Sequence, residues 1–165
     1  MSDTYCVLSV LVNNESAVLA RVSSLFSRRG FNIKSLVMGE TERPEISRMI
    51  ITFYGDDYTK DQMVKQLDKL HDVLKIELLD MRTALSRELL LVKVQAKQGQ
   101  KGEILQASSV FNADVLEVAP DSLTLELKHE GEKIEGFIEF LKPYGIMELC
   151  RTGVTAVGRE SLALG

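Results

Sequence analysis

Two kinds of hydrophobic periodicity alternate along this chain, and the order in which they occur constrains the fold more than any other feature. Apolar residues recur at every second position in strand-like segments and at every third or fourth position in helix-like segments. The order is strand, helix, strand, strand, helix, strand up to Leu78, and it repeats from Leu89 onward. This is the order of a ferredoxin-like βαββαβ unit. We therefore predict an α+β fold of two tandem ferredoxin-like units, with domains at residues 1–82 and 83–165.

The opening elements are predicted in most detail. Residues Tyr5–Val12 alternate as a strand, and a helix follows from Ala17 to Arg29, ended by Gly30, which is a typical residue after a helix C-terminus. Thr59 and Gln62 have the spacing of a capping box and predict the start of the second helix. The buried face of the first helix is predicted from residues at helical spacing: Val18, Val22, Leu25 and Phe26.

The second half of the chain is predicted from the same patterns. Two further helices are predicted to point these residues inward: Ile104, Ala107, Val110 and Phe111 in the first of them, and Ile134, Phe137, Ile138 and Leu141 in the second. Leu123, Leu125 and Leu127 alternate with polar residues and predict a half-buried strand, and Ile146–Val157 is predicted to form the last strand.

The candidate binding site lies where the polar loop after the first strand enters the first helix. Free N–H groups at Ala17 and Val18, at the positive end of the helix dipole, suit a carboxylate. The side-chain amides of Asn14 and Asn32 can donate to or accept from either end of an α-amino acid. An apolar pocket is predicted from three residues: Leu11, Val18 and Ile33.

A purely structural interpretation of the same asparagines stays open at this point. Asn14 is also a good helix cap, and Asn32 is suited to closing the turn after Gly30. The residues alone favour this structural interpretation over a binding site.

Composition and charge argue against several function classes. The formal net charge is −4, whereas a nucleic-acid surface usually needs a basic excess. No run of about 18 apolar residues predicts a membrane span, and no signal peptide is expected, so we predict a cytoplasmic protein. Cys6 and Cys150 lie in apolar segments and are predicted to be buried thiols. His71 and His129 have no second ligand at metal spacing, so no metal site is predicted.

No sequence motif of an enzyme is found. The chain lacks a nucleophile elbow, a P-loop and a dinucleotide fingerprint, and Gly99–Gly102 lacks the length and the hydroxyl residue of a phosphate loop. Asp56 and Asp57 lie in a predicted turn, and Glu130 and Glu132 flank a glycine, as solvated loop residues do. We predict no catalytic residues and no cofactor on this chain.

Residues 8 to 36, L-S-V-L-V-N-N-E-S-A-V-L-A-R-V-S-S-L-F-S-R-R-G-F-N-I-K-S-L, resemble the opening of the acetolactate synthase (acetohydroxyacid synthase) small subunit. In that family this stretch belongs to an ACT domain, an amino-acid-sensing ferredoxin-like module. The resemblance covers nearly the whole chain in the same order. It continues through Ser47-Arg48-Met49, Lys65-Gln66-Leu67-Asp68-Lys69-Leu70, Arg87-Glu88-Leu89, Val92-Lys93-Val94, Pro120-Asp121-Ser122-Leu123-Thr124 and Cys150-Arg151-Thr152-Gly153.

The resemblance implies a regulatory subunit without an active site of its own. Such a subunit binds and activates a large catalytic subunit that carries thiamine diphosphate, Mg²⁺ and FAD, and in many members it confers feedback inhibition by valine or another branched-chain amino acid. It implies an ACT domain at residues 1–82 that forms a homodimer, and a second ferredoxin-like domain at 83–165. The implied effector-binding residues are Asn14, Ala17, Val18, Asn32 and Ile33. The strand that begins at Asn32 is implied to come from the other protomer of the dimer.

One departure from the family pattern concerns Ala17, where glycine is usual. Glycine would permit positive φ and close approach of the backbone to a carboxylate. If φ is positive at Ala17, the alanine is strained by roughly 1 kcal/mol. We therefore predict weak or absent sensitivity to valine with activation of the partner retained.

Two other function classes would leave different marks. A free ACT module would bind an amino acid without stimulating acetolactate synthase. An acyl-phosphate hydrolase of ferredoxin-like fold would need an arginine in the loop after the first strand, and residues Asn13–Ser16 contain none. Fold alone does not separate these classes, but the order of motifs over the whole chain favours the regulatory subunit.

Overall fold

The computed structural model of this chain describes residues 4–159, and the first half of these forms one βαββαβ unit. Its sheet has the strand order β2-β3-β1-β4, and neighbouring strands are antiparallel. Its elements in chain order are β1 (Thr4–Asn13), α1 (Val18–Arg29), β2 (Ile33–Glu40), β3 (Ile46–Gly55), α2 (Asp57–Leu67) and β4 (Val73–Leu79).

A second βαββαβ unit follows, and the predicted α+β fold of two tandem ferredoxin-like units is confirmed. Its sheet has the order β6-β7-β5-β8, which repeats that of the first unit. Its elements are β5 (Leu85–Gln95), α3 (Lys101–Phe111), β6 (Asp114–Val118), β7 (Ser122–His129), α4 (Gly131–Leu141), a 3₁₀ turn (Lys142–Tyr144) and β8 (Ile146–Arg151). A short strand, β9 (Thr155–Val157), comes last among the described residues.

Both faces of the first sheet are covered. Side chains of β1 and β3 pack against α1 and α2 on one face, as the stripe on α1 predicts. On the other face Val7, Ile50 and Leu79 pack against Val154 and Ala156. By contacts, the first compact unit therefore comprises the chain up to Leu85 together with the segment that begins at Val154.

Residues Ser86–Gly153 form the second compact unit. The predicted division between residues 82 and 83 lies close to this boundary, but the contacts place the segment from Val154 with the first unit. The four residues predicted to form the buried stripe of the last helix are all buried: Ile134, Phe137, Ile138 and Leu141. Val110 was predicted to point inward from α3 but is 75% exposed. Ser108 takes the buried place, because it lies one helical turn after Ile104.

Three further details differ from the predictions. Helix α2 begins after Asp56, whose carboxylate accepts from the N–H and hydroxyl of Thr59 at 2.8 and 2.7 Å, so Thr59 is not the cap. The last predicted strand is interrupted, because Gly153 has a φ of 83° that an extended strand cannot adopt. Cys6 is buried as predicted, whereas Cys150 is exposed on the sheet face away from the helices, opposite Leu91.

Candidate effector site

Two backbone hydrogen bonds hold the loop between β1 and α1 against the ends of neighbouring strands. The N–H of Asn13 donates to the carbonyl oxygen of Asp72 at 2.9 Å. The N–H of Asn14 donates to the carbonyl oxygen of Glu45 at 2.7 Å, on the turn between β2 and β3. The polar loop therefore has a defined position at one end of the first sheet.

The side chain of Asn14 joins this turn instead of capping the helix. Its Nδ2 donates to the carbonyl oxygen of Pro44 at 2.8 Å and to Oε1 of Glu40 at 3.2 Å. Because a carbonyl can only accept, the amide nitrogen must face Pro44, which fixes the orientation of the amide. Among residues 4–159, Oδ1 of Asn14 has no partner. This oxygen and the Glu40 carboxylate together suit an ammonium group.

Ala17 is the residue immediately before α1, and its φ of 73° and ψ of −2° place it in the left-handed region. No side chain caps the helix there. Within the described chain the N–H of Ala17 makes no hydrogen bond, and that of Val18 reaches the carbonyl oxygen of Glu15 at 3.4 Å, a long distance. The helix therefore presents weakly used donors at its positive end, which suits a carboxylate.

The apolar residues predicted for the pocket do not come together within one chain. Val18 is 1% exposed and packs in the core beneath α1, so it can offer its N–H but not its side chain. Leu11 pairs with Arg48 on the opposite face of the sheet from Val18. A pocket around Asn14 in a single chain therefore does not include both Leu11 and Val18.

Asn32 and Ile33 lie at the far end of β2 from Asn14. Asn14 contacts Glu40, the last residue of β2, whereas Ile33 is its first residue. Seven steps along a strand correspond to about 23 Å. Asn32 is exposed, and no partner for its side chain occurs in the part of the chain described here. The turn after α1 is closed instead by the N–H groups of Gly30 and Phe31.

The predicted structural roles of the two asparagines are therefore not the ones observed. The contacts of Asn14 with Glu40 and Pro44 were missed, because those residues lie 26 and 30 positions along the chain. No local pattern signals them, since only the pairing of β1 with β3 brings them together.

Several other charged groups in the described chain form structural contacts. Arg21 pairs with Asp72 at 2.8 Å beside the loop. In the second unit the guanidinium of Arg151 is held by Glu88 at 2.6 and 2.9 Å and by Glu135 at 2.8 Å, and the bonds to Glu88 are the main cause that raises the pKa of Arg151. Within residues 4–159, no cluster of three potential metal ligands occurs and no helix has the length and apolarity to cross a membrane.

Comparison with known proteins assigns a family to each unit. Residues 8–75 match the family model described as the AHAS small subunit-like ACT domain, and residues 87–160 match the one described as the small subunit of acetolactate synthase. A probable acetolactate synthase small subunit from Methanothermobacter thermautotrophicus is 45% identical over 160 residues, covering 96% of this chain and 95% of that protein. The acetolactate synthase small subunit of Mycolicibacterium smegmatis is 46% identical over 158 residues, covering 96% and 93%.

A solved structure agrees with these sequence matches. The crystal structure of the acetolactate synthase small subunit from Thermotoga maritima superposes with a TM-score of 0.87 at 35% identity, covering 96% of this chain and 99% of that one. Both family models, relatives of matching length and a shared fold thus agree. This chain belongs to the family of acetolactate synthase small subunits, and its first unit carries the family's ACT domain.

Proposed function

We propose that this chain binds the catalytic large subunit of acetolactate synthase, raises its activity, and carries an amino-acid effector site at the loop between β1 and α1. The observation that carries the proposal is the match of both units, in chain order, to the two small-subunit family models. Thiamine diphosphate, Mg²⁺ and FAD belong to the large subunit in this proposal. The chain acts on branched-chain amino acid synthesis as a regulator.

The polarity of the loop supports an α-amino acid as the effector. The N–H groups at Ala17 and Val18 would receive the carboxylate, and Oδ1 of Asn14 with the Glu40 carboxylate would receive the ammonium group. An α-amino acid needs both kinds of partner and a small apolar contact for its side chain. Valine is the effector that we propose.

A homodimer would complete this site. β2 is an edge strand of the first sheet, so one row of its backbone groups has no strand partner within the unit. Antiparallel pairing of β2 with its copy would bring the first residue of one strand near the last residue of the other. Asn32 and Ile33 of a second copy would then approach Asn14 and Glu40, which a single chain keeps about 23 Å apart.

The alanine at position 17 weakens the response to valine in this proposal. Its methyl group stands beside the N–H groups that would receive the carboxylate, and its backbone holds the left-handed conformation that glycine adopts without strain. Activation of the large subunit does not need this contact.

The test is reconstitution of the holoenzyme from this chain and the large subunit of the same organism. Acetolactate formation is measured with the large subunit alone, with the small subunit added, and then with valine, leucine and isoleucine titrated separately. We expect a higher kcat and co-elution in size-exclusion chromatography, with half-inhibition by valine above about 1 mM.

Two results would contradict separate parts of the proposal. No co-elution and no change in kcat would exclude the role as an activating subunit. Inhibition by sub-millimolar valine would instead show that Ala17 leaves sensing intact, while the activating role would stand.

A further inference from the structure

The second unit has a loop that repeats the position of the Asn14 loop in the first unit. The N–H of Gln95 donates to the carbonyl oxygen of Gly145 at 2.9 Å, and the N–H of Ala96 donates to that of Asp121 at 2.9 Å. These two bonds correspond one for one to those of Asn13 and Asn14 described above. The end of β5 and the turn between β6 and β7 therefore form the same corner as the candidate effector site.

An open cavity of about 350 Å³ lies at this corner. This volume falls at the lower end of the range of about 300–1,000 Å³ that is typical of small-molecule sites. The loop beside it is fixed, because the N–H of Lys97 donates to Oε1 of Gln100 at 3.0 Å. Five residues line the cavity: Gln95, Lys97, Asp121, Ser122 and Met147.

Four of the lining side chains are polar and none of them has a partner in residues 4–159. Ser122 is 7% exposed, and its hydroxyl, which is not fully buried, makes no hydrogen bond within the described chain. The amide of Gln95, the ammonium of Lys97 and the carboxylate of Asp121 likewise form no hydrogen bond or ion pair there. All four polar groups reach solvent at the open cavity, so each is free to contact a bound ligand.

The charges at the cavity define the chemistry of that ligand. Lys97 supplies one positive charge and Asp121 one negative charge, and the two do not pair with each other. A molecule that carries a carboxylate and an ammonium group satisfies both, and the Ser122 hydroxyl can donate to the carboxylate. Met147 adds an adaptable apolar surface beside them.

We propose that this cavity is a second small-molecule site, which binds a zwitterionic α-amino acid with a short apolar side chain. Lys97 and Ser122 hold its carboxylate, Asp121 and Gln95 hold its ammonium group, and Met147 contacts its side chain. The site lies wholly within residues 86–153 and is separate from the loop that contains Asn14. This proposal does not depend on the effector site in the first unit.

The test is residue-resolved NMR titration of the ¹⁵N-labelled full chain with L-alanine, L-valine and L-leucine. We expect saturable shifts of the backbone amides of Lys97, Ser122 and Met147. The variants Asp121→Asn and Lys97→Gln should each weaken this binding about tenfold, since each removes a charged hydrogen-bonding partner. Asp114→Asn is the matched control, because it removes a carboxylate of the same unit that does not line the cavity, and it should leave the affinity unchanged.

Analogues of valine test the need for both charges. Isobutylamine lacks the carboxylate and 3-methylbutanoate lacks the ammonium group, and each should bind at least about tenfold more weakly than valine. The proposal is overturned if none of the three amino acids shifts these amides at about 20 mM, if either analogue binds as well as valine, or if Asp121→Asn leaves the affinity unchanged. Asn14→Ala separates the two sites, because it alters only shifts in the first unit.

Discussion

Replacing Ala17 by glycine removes one methyl group from a residue held at a φ of 73° and a ψ of −2°. A non-glycine residue in this region costs about 1–2 kcal/mol. Glycine in turn leaves the unfolded chain freer than alanine does, which lowers stability by about 0.4–1 kcal/mol. We therefore expect Ala17→Gly to raise the free energy of unfolding by about 0.5–1 kcal/mol.

Gly30→Ala is the matched control for this magnitude. Gly30 follows the same helix with a φ of 68°, and a Cβ placed on it would have no atom within 4 Å. The substitution therefore adds backbone strain without a steric clash and should lower the free energy of unfolding by the same amount. Urea titrations followed by circular dichroism measure both variants, with an unchanged m value as the check that the same unfolding transition is compared. If Ala17→Gly lowers stability as well, Ala17 is not strained and the reasoning fails.

The same substitution should tighten the binding of valine. Without the methyl group a carboxylate can approach the N–H groups at the start of α1 more closely. Gaining one charged hydrogen bond corresponds to about tenfold in Kd. Calorimetry with valine on wild-type chain, Ala17→Gly and Gly30→Ala measures this, and equal affinities for all three would refute a role of the methyl group in sensing.

Three further substitutions test the packing and the helix cap. Glu88→Gln breaks the bidentate contact with Arg151 at a carboxylate whose side chain is 4% exposed, and should lower the free energy of unfolding by about 2 kcal/mol in urea titrations. Val154→Ala removes about two buried methylene equivalents and should cost about 1.5 kcal/mol by the same measurement, whereas Val157→Ala in the same segment, at 50% exposure, should change stability little. Asp56→Ala should lower Tm at pH 7. The N–H and hydroxyl of Thr59 lower the pKa of Asp56 in the folded chain. The stability that this carboxylate contributes is therefore complete above the unfolded pKa of about 3.8 and is lost as pH falls through the folded pKa. The difference in Tm between the wild-type chain and Asp56→Ala should accordingly shrink in acid.

The element order could be predicted because each segment keeps its own periodicity. Alternation in β7 and the stripe on α4 survive unchanged in the structure. The prediction that Val110 points inward was wrong because it rested on apolar character alone. Val110 lies six residues after Ile104 and thus far round the helix from it. Position on the helix, and not hydrophobicity, decided which residue is buried.

The covering of the outer face of the first sheet by a segment of the same chain was not predicted, although the sequence contains a signal that this face is buried. The run from Cys6 to Val12 is apolar at six of seven positions, which is typical of a strand buried on both faces and not on one. The identity of the covering segment is a long-range property. Val154 and Ala156 lie about 150 residues from Val7, and only the folded chain brings them together.

The candidate site was predicted in part, through the resemblance and not through periodicity. Periodicity placed Ala17 at a helix start but gave no indication of positive φ, which only the usual glycine of the family suggested. The observed φ of 73° agrees with that suggestion. The contacts of Asn14 with the turn after β2 could not be predicted, since they depend on how β1 pairs with β3.

A comparison of the loops before α1 and α3 separates the cause of the left-handed conformation at Ala17 from its effect on valine sensing. In the second unit Gly99, in the equivalent loop before α3, also has a positive φ, of 92°, although that loop has no counterpart of the Asn14 side chain. The connection from the first strand to the first helix therefore contains a left-handed residue in both units, directly before α1 in the first unit and two residues before α3 in the second. It follows that the strain at Ala17 belongs to the fold, and that a gain in stability for Ala17→Gly carries no information about valine. Only the change in valine affinity tests whether the methyl group reduces sensing.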